Sequence, residues 1–147
     1  MRLTTTTLIA AGLMAAPAFA QDGDAAAGEQ AFTQCATCHV VQDADGNTIA
    51  GRNGRTGPNL YGVAGRQAGS VEDFRYGESS VLAGEQGLTW DQESFVAYVQ
   101  DPTGYLREVL DDPQARGKMA YKVRSEEDAQ NLWAFLSQHG GEAAATN

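Results

Sequence analysis

Five consecutive residues, Cys35-Ala36-Thr37-Cys38-His39, constrain this chain more than any other stretch. Two thiols two residues apart, followed at once by an imidazole, form the attachment signature of a c-type haem: the thiols become thioethers to the porphyrin and the histidine ligates its iron. A chain with this motif must fold around a flat, largely apolar group. Two rival readings are a dithiol redox pair and half of a zinc site. Zinc would need further ligands, and the chain has no other cysteine and one other histidine, His139. A thioredoxin-like dithiol would sit in a βαβ context that is absent here. The motif therefore points to one covalent haem c.

The beginning of the chain names a compartment. Arg2 is a positive n-region, Leu8 to Met14 an apolar core, and Pro17 breaks the helix before Ala18-Phe19-Ala20. This reads as a secretory signal, residues 1–20, cleaved before Gln21, with a periplasmic domain over 21–147 and a flexible tail over 141–147. The apolar run is too short to span a bilayer, and no later stretch is longer, so the mature chain is not expected to span a membrane. Haem is attached to such motifs in that compartment. The formal charge of -9 excludes nucleic acid, which would need a basic face. The size is that of one ordinary domain, expected to be a monomer.

Helical signals then frame the motif. Asp22 and Asp24 can cap a helix beginning near Ala25, which delivers Cys35 and shows an apolar side through Ala31 and Phe32. Gly28 shares the face of Phe32 and suits the close approach of another helix. Thr89 to Gln92 has a capping-box pattern, opening a helix with Phe95, Tyr98 and Val99 on one face that must stop before Pro102. Thr103 to Leu110 reads as a short helix closed by Asp111-Asp112-Pro113. The last helix is the best marked: Ser125 and Asp128 cap it, Ala129, Leu132, Trp133, Phe135 and Leu136 form its buried stripe, and Gly140-Gly141 end it.

Between these segments, Gln42 to Ser70 holds seven glycines and little apolar periodicity, and reads as loop. A loop this long serves a site. Within it, the Pro58 carbonyl can accept a hydrogen bond from the second ring nitrogen of His39, fixing the ring and strengthening it as a donor to iron. A plain Gly-Pro turn would explain the same residues.

Function then depends on the sixth iron position. A five-coordinate haem binds small molecules or does oxygen chemistry; a six-coordinate one mostly moves electrons. Of three methionines, Met1 and Met14 lie in the leader, which leaves Met119. Its neighbours Gly117, Lys118, Ala120 and Tyr121 lack helical patterning, as an extended ligand loop would. Met119 is the favoured ligand over a core filler, and His139 at a helix end is the other candidate. A thioether opposite imidazole raises the reduction potential and leaves no open position for a substrate.

With these residues in view, the chain resembles the class I c-type cytochromes, in particular the larger bacterial branch that includes cytochrome c2. The resemblance runs from Gly28 to Leu136, through Cys35-x-x-Cys38-His39, Gly57-Pro58-Asn59-Leu60-Tyr61-Gly62-Val63-Ala64-Gly65-Arg66, and Leu88-Thr89-Trp90 paired with Lys118-Met119. It implies an all-α, single-domain cytochrome c fold, a few helices and long loops wrapped around one haem. It also implies that Gly28 and Phe32 meet Leu132 and Phe135, that Pro58 bonds His39, and that Met119 is the sixth ligand. Arg66, Tyr76 and Trp90 match the family's donors to the haem propionates, and Tyr98 matches the tyrosine beside the methionine. Gly117 stands where many relatives carry threonine and Ser80 where asparagine often sits, while Gln42 to Arg55 and Arg107 to Arg116 resemble insertions of the bacterial branch.

The acidic total hides an asymmetry. Gln114 to Ser125 carries Arg116, Lys118, Lys122 and Arg124 with no acidic residue, and Arg52 and Arg55 lie in the wrapping loop. This basic set is expected to surround the haem edge and steer acidic redox partners. The expected role is a periplasmic electron carrier rather than an enzyme. By resemblance, the donor is a cytochrome bc1-type complex and the acceptor a terminal oxidase, a denitrification enzyme or a photosynthetic reaction centre. A haem peroxidase or gas-binding sensor with Met119 displaced is the alternative, and a permanently bound enzyme subunit a third.

Overall fold

The computed structural model describes residues 23–141. The leader, its cleavage site, Asp22 and the tail beyond Gly141 lie outside the described residues. Helix α1, Ala25–Ala31, starts where the Asp24 carboxylate accepts the amides of Ala26 and Ala27 at 2.8 and 3.2 Å. A 3₁₀ turn over Phe32–Gln34 tightens its end and carries the chain into the cysteine motif. There the Cys35 carbonyl accepts the amides of both Cys38 and His39.

Helix α5, Glu126–Leu136, crosses α1. The crossing is close because Gly28 has no side chain: a Cβ there would lie 1.9 Å from the Asn131 carbonyl oxygen. The Asn131 side chain in turn accepts the Asp24 amide at 2.6 Å, and the rings of Phe32 and Phe135 meet with centroids 5.9 Å apart. The stripe Ala129, Leu132, Trp133, Phe135 and Leu136 is buried throughout. The helix ends at Leu136, short of Gly140-Gly141, because the amides of Gln138 and His139 turn to carbonyls three residues back, a tightened last turn.

Helix α3, Gln92–Gln100, packs on α5 through Phe95 and Trp133, and α4, Pro102–Leu110, follows with Pro102 in its first turn. Asp101 ends one helix and caps the next, accepting the Gly104 amide at 3.2 Å. The cap of α3 is Asp91 rather than Thr89. Thr89 is paired with Gln67 as an isolated bridge and Trp90 with Arg66, so the chain stays extended until Asp91. Asp91 and Ser94 then exchange side chain-to-amide bonds at 2.8 and 2.9 Å, a capping box built on serine.

Two elements depart from the sequence expectation. Helix α2, Glu78–Glu85, lies in a stretch of serine, alanine and glycine with neither an apolar stripe nor a side-chain cap. It packs against α4 around Ala83, Leu106 and Ala115. The wrapping loop opens with an antiparallel hairpin, β1 Val41–Gln42 and β2 Thr48–Ala50, turned by the Asp43 carboxylate on the amides of Asp45 and Asn47. The fold remains helical in class, with this one small sheet among the described residues.

Candidate haem site

A cavity of about 530 Å³ opens between the cysteine motif, the wrapping loop, α3, the Met119 segment and α5, within the range of small-molecule and cofactor sites. Cys35, Cys38, His39, Pro58, Arg66, Tyr76, Trp90, Tyr98 and Met119, singled out from the sequence, all line it. Its apolar wall includes Leu60, Val63, Phe95, Val99, Leu132 and Leu136. His139 is not among the lining residues. Its ring stands edge-on to Phe135, at 4.9 Å between centroids, and its carbonyl accepts the Gly62 amide.

His39 is held on two sides. Its Nδ1 lies 2.9 Å from the Pro58 carbonyl oxygen, which can only accept, so Nδ1 carries the proton and Nε2 is left with its lone pair. Its ring rests against Gly57, where a Cβ would come within 2.3 Å of Cε1. Burial pushes the imidazole below its ordinary pKa, with the Pro58 bond opposing in part. A neutral imidazole with one free nitrogen is a metal ligand. The Cys35 thiol is pushed up to about 11, first by burial and then by Cys38. Thiols active in exchange lie the other way, with a lowered pKa, so Cys35 is a poor attacking thiol.

Arg66 reaches into the cavity wall while donating to the carbonyls of Tyr61 and Asn59 at 2.9 and 3.1 Å. Burial lowers its pKa and the neighbouring Tyr76 opposes. No carboxylate pairs with it among the described residues, where the one ion pair is Lys122–Asp101. A half-buried guanidinium without an anion marks a place for an acidic group. Tyr98 packs on Trp90 at 4.9 Å, and its hydroxyl is pushed up to about 12 by burial and by Tyr76, with a bond to the Ser80 side chain opposing.

The Met119 segment has no regular secondary structure and is tied at points. The Arg116 amide donates to Ser79 Oγ at 3.0 Å, the Gly117 amide to Thr103 Oγ1 at 3.1 Å, and Lys118 Nζ to the Arg75 carbonyl at 2.8 Å. Beyond Met119, the Tyr121 hydroxyl donates to Gln34 Oε1, Lys122 pairs with Asp101 at 2.8 Å, and the Val123 amide bonds the Val99 carbonyl. Thr103, Gln34 and Tyr121 were not singled out by sequence; their contacts are long-range, and no local pattern marks them. Thr103 on α4 supplies a hydroxyl beside Gly117.

Of the basic residues, Lys118 lines the cavity, and Lys122 and Arg124 line an adjoining groove of about 730 Å³. Arg52, Arg55 and Arg116 are exposed but line neither space.

These residues fit a c-type haem: an apolar slot, two thiols on its wall, a neutral imidazole with a free nitrogen, and an unpaired cation where acidic groups would lie. No protein-family model matches the chain. It is 57% identical to cytochrome c2 of Cereibacter sphaeroides over 129 residues, which span 87% of this chain and 89% of that one. The chain belongs to the cytochrome c2 family. It is also 50% identical to cytochrome c-551 of Roseobacter denitrificans over 145 residues, 98% of this chain and 100% of its relative. The crystal structure of cytochrome c2 from Rhodobacter sphaeroides superposes with a TM-score of 0.80 at 56% identity, covering 82% of this chain and 98% of that one. The fold is that of a class I cytochrome c, and as a family member the chain carries one covalently bound haem c and transfers electrons rather than acting as an enzyme. Among the described residues no helix is long and apolar enough to cross a membrane.

Proposed function

We propose that this cytochrome is a monomeric periplasmic carrier of one electron at a time, with its haem iron held between His39 and Met119. The observation that carries the reading is that the carbonyl-bound imidazole and the mature chain's one methionine line the same cavity as the two thiols.

Bound haem c supplies a ferric/ferrous couple. The chain's residues make that couple usable. Cys35 and Cys38 anchor the group, and the Pro58 carbonyl orients His39 and raises its donor strength. Met119 would be the second side chain to hold the iron, which would leave no position for a substrate. The side chains of Leu60, Val63, Phe95, Val99, Leu132 and Leu136 exclude water. Arg66, with Tyr76 and Trp90, offers donors to the acidic edge. Lys118, with Arg52, Arg55, Arg116, Lys122 and Arg124, steers acidic partners: a cytochrome bc1-type donor, and an oxidase, denitrification enzyme or reaction centre as acceptor.

Ferric-state absorption tests the ligation. The protein is expected to show a methionine-to-iron charge-transfer band that Met119→Ala abolishes; an unsubstituted protein without that band refutes the assignment. Mass spectrometry of the periplasmic fraction should find a chain starting at Gln21 with one haem. Stopped-flow oxidation by source membranes, with each acceptor inhibited in turn, names the acceptor.

A further inference from the structure

We infer that the hydrogen bond from the Tyr121 hydroxyl to the Gln34 carboxamide is a latch on the Met119 segment, setting how readily a small nitrogenous ligand displaces Met119 from iron. The inference rests on the reading of Met119 as the sixth ligand. Tyr121 lies two residues beyond that methionine, and Gln34 immediately precedes Cys35, so one bond joins the two segments that meet the haem.

Its position makes it a partition. Gln34 and Tyr121 both line the 530 Å³ cavity and both line the 730 Å³ groove beside it, together with Cys35, Ala120, Val123 and Leu132. The bond therefore crosses the wall between the haem space and an outer groove. Packing holds the tyrosine only in part, because the residue is 45% exposed. The hydroxyl bond adds the directional contact that orients the ring.

The neighbouring ties leave this one decisive. Arg116, Gly117 and Lys118 are bound on the near side of Met119, to Ser79, Thr103 and Arg75. On the far side the first tie is Tyr121 to Gln34, and Lys122 and Val123 follow. Without it, Met119, Ala120 and Tyr121 form the untied span and swing toward the groove while the flanking anchors hold. Tyr121 and Gln34 are thus positioning residues.

The test is imidazole titration of the ferric haem-loaded protein. An exposed neutral hydrogen bond is worth enough to change an equilibrium about three- to tenfold. Tyr121→Phe and Gln34→Ala are each expected to raise imidazole affinity by that factor. The double variant should match the single ones, since both remove the same bond. Gln34→Glu keeps an acceptor oxygen and should restore near-native affinity. Unchanged affinity in both single variants, or increases that multiply in the double variant, overturns the latch. The charge-transfer band separates the two ideas: its absence from the unsubstituted protein removes the ligand reading, and its presence with unchanged affinities removes the latch alone.

Discussion

Replacing Gly28 with alanine sets two effects against each other. In a helix interior alanine is worth about 1 kcal/mol more than glycine, so propensity alone predicts a more stable protein. The crossing predicts the reverse. The new Cβ would lie 1.9 Å from the Asn131 carbonyl oxygen, 2.6 Å from its carbon and 2.8 Å from Phe135 Cβ. Two of these atoms are backbone, so no rotamer relieves the overlap. Restoring a 3.0 Å approach parts α1 from α5 by about 1.1 Å. A gap of that size forfeits about half of the dispersion between facing atoms. Phe32 and Phe135, 2% and 5% exposed, face each other there. Each contributes up to about 3 kcal/mol by burial, so parting them costs about 3 kcal/mol. The net is a loss of about 2 kcal/mol after the propensity gain. Guanidinium unfolding of the haem-loaded protein should show a midpoint lower by about 0.5 M with an unchanged slope. An equal or higher midpoint would refute the close-crossing argument.

Other perturbations separate the remaining claims. Thr103→Val removes the acceptor of the Gly117 amide and should speed hydrogen exchange at that amide about five- to tenfold, leaving α4 protected; protection unchanged would mean Thr103 is not an anchor. Asp91→Ala should cost about 1 kcal/mol as a lost cap. The two bonds to Ser94 hold the Asp91 carboxyl below the ordinary carboxylate range, so its contribution is complete above the ordinary value and fades as pH falls through the lowered one. Thermal midpoints of Asp91→Asn and the unsubstituted protein should therefore converge in acid, and a gap that widens would have the sign wrong. Lys118→Gln should slow low-salt reaction with an anionic redox partner more than Lys122→Gln, because Asp101 already offsets Lys122. Asp101→Asn should accelerate it, and all three effects should shrink as salt is added.

How much could be read beforehand depended on whether the signal was local. Helices α1 and α5 announce themselves through a capping aspartate and an apolar stripe, and α4 through the breaks on either side of it, Pro102 and Asp111-Asp112-Pro113, features within one turn or one face. Helix α2 has none of these. Its existence is decided by what it covers, Ala83 against Leu106 and Ala115. Strands of two and three residues leave no room for alternation, so the hairpin at Val41 was unreadable for the same reason. At Thr89 a local signal was present and lost to a distant one, the pairing with Gln67. The cavity's chemistry was more legible than its supports. Cys35, Cys38, His39, Arg66 and Met119 are of types that stand out by their chemistry, and these five line one space. Thr103, Gln34 and Tyr121 are ordinary residues whose partners lie far along the chain. The basic residues were legible as a charge run, and three of them reach the two spaces, Lys118 on the cavity and Lys122 and Arg124 on the adjoining groove.

The crossing of α1 and α5 has a further consequence for how such a chain comes into being. The pair that seals the core consists of the first and last helices among the described residues, so everything lining the haem space except Leu132 and Leu136 of α5 is contained in the loop their contact closes. A chain emerging from its N-terminus exposes Cys35, Cys38 and His39 long before Glu126 to Leu136 exist to complete the core. Closing so long a loop is entropically late in any case, since its ends are the most separated contacts in the domain. Synthesis thus leaves an interval in which both thiols stand in open chain, before the fold draws them inward.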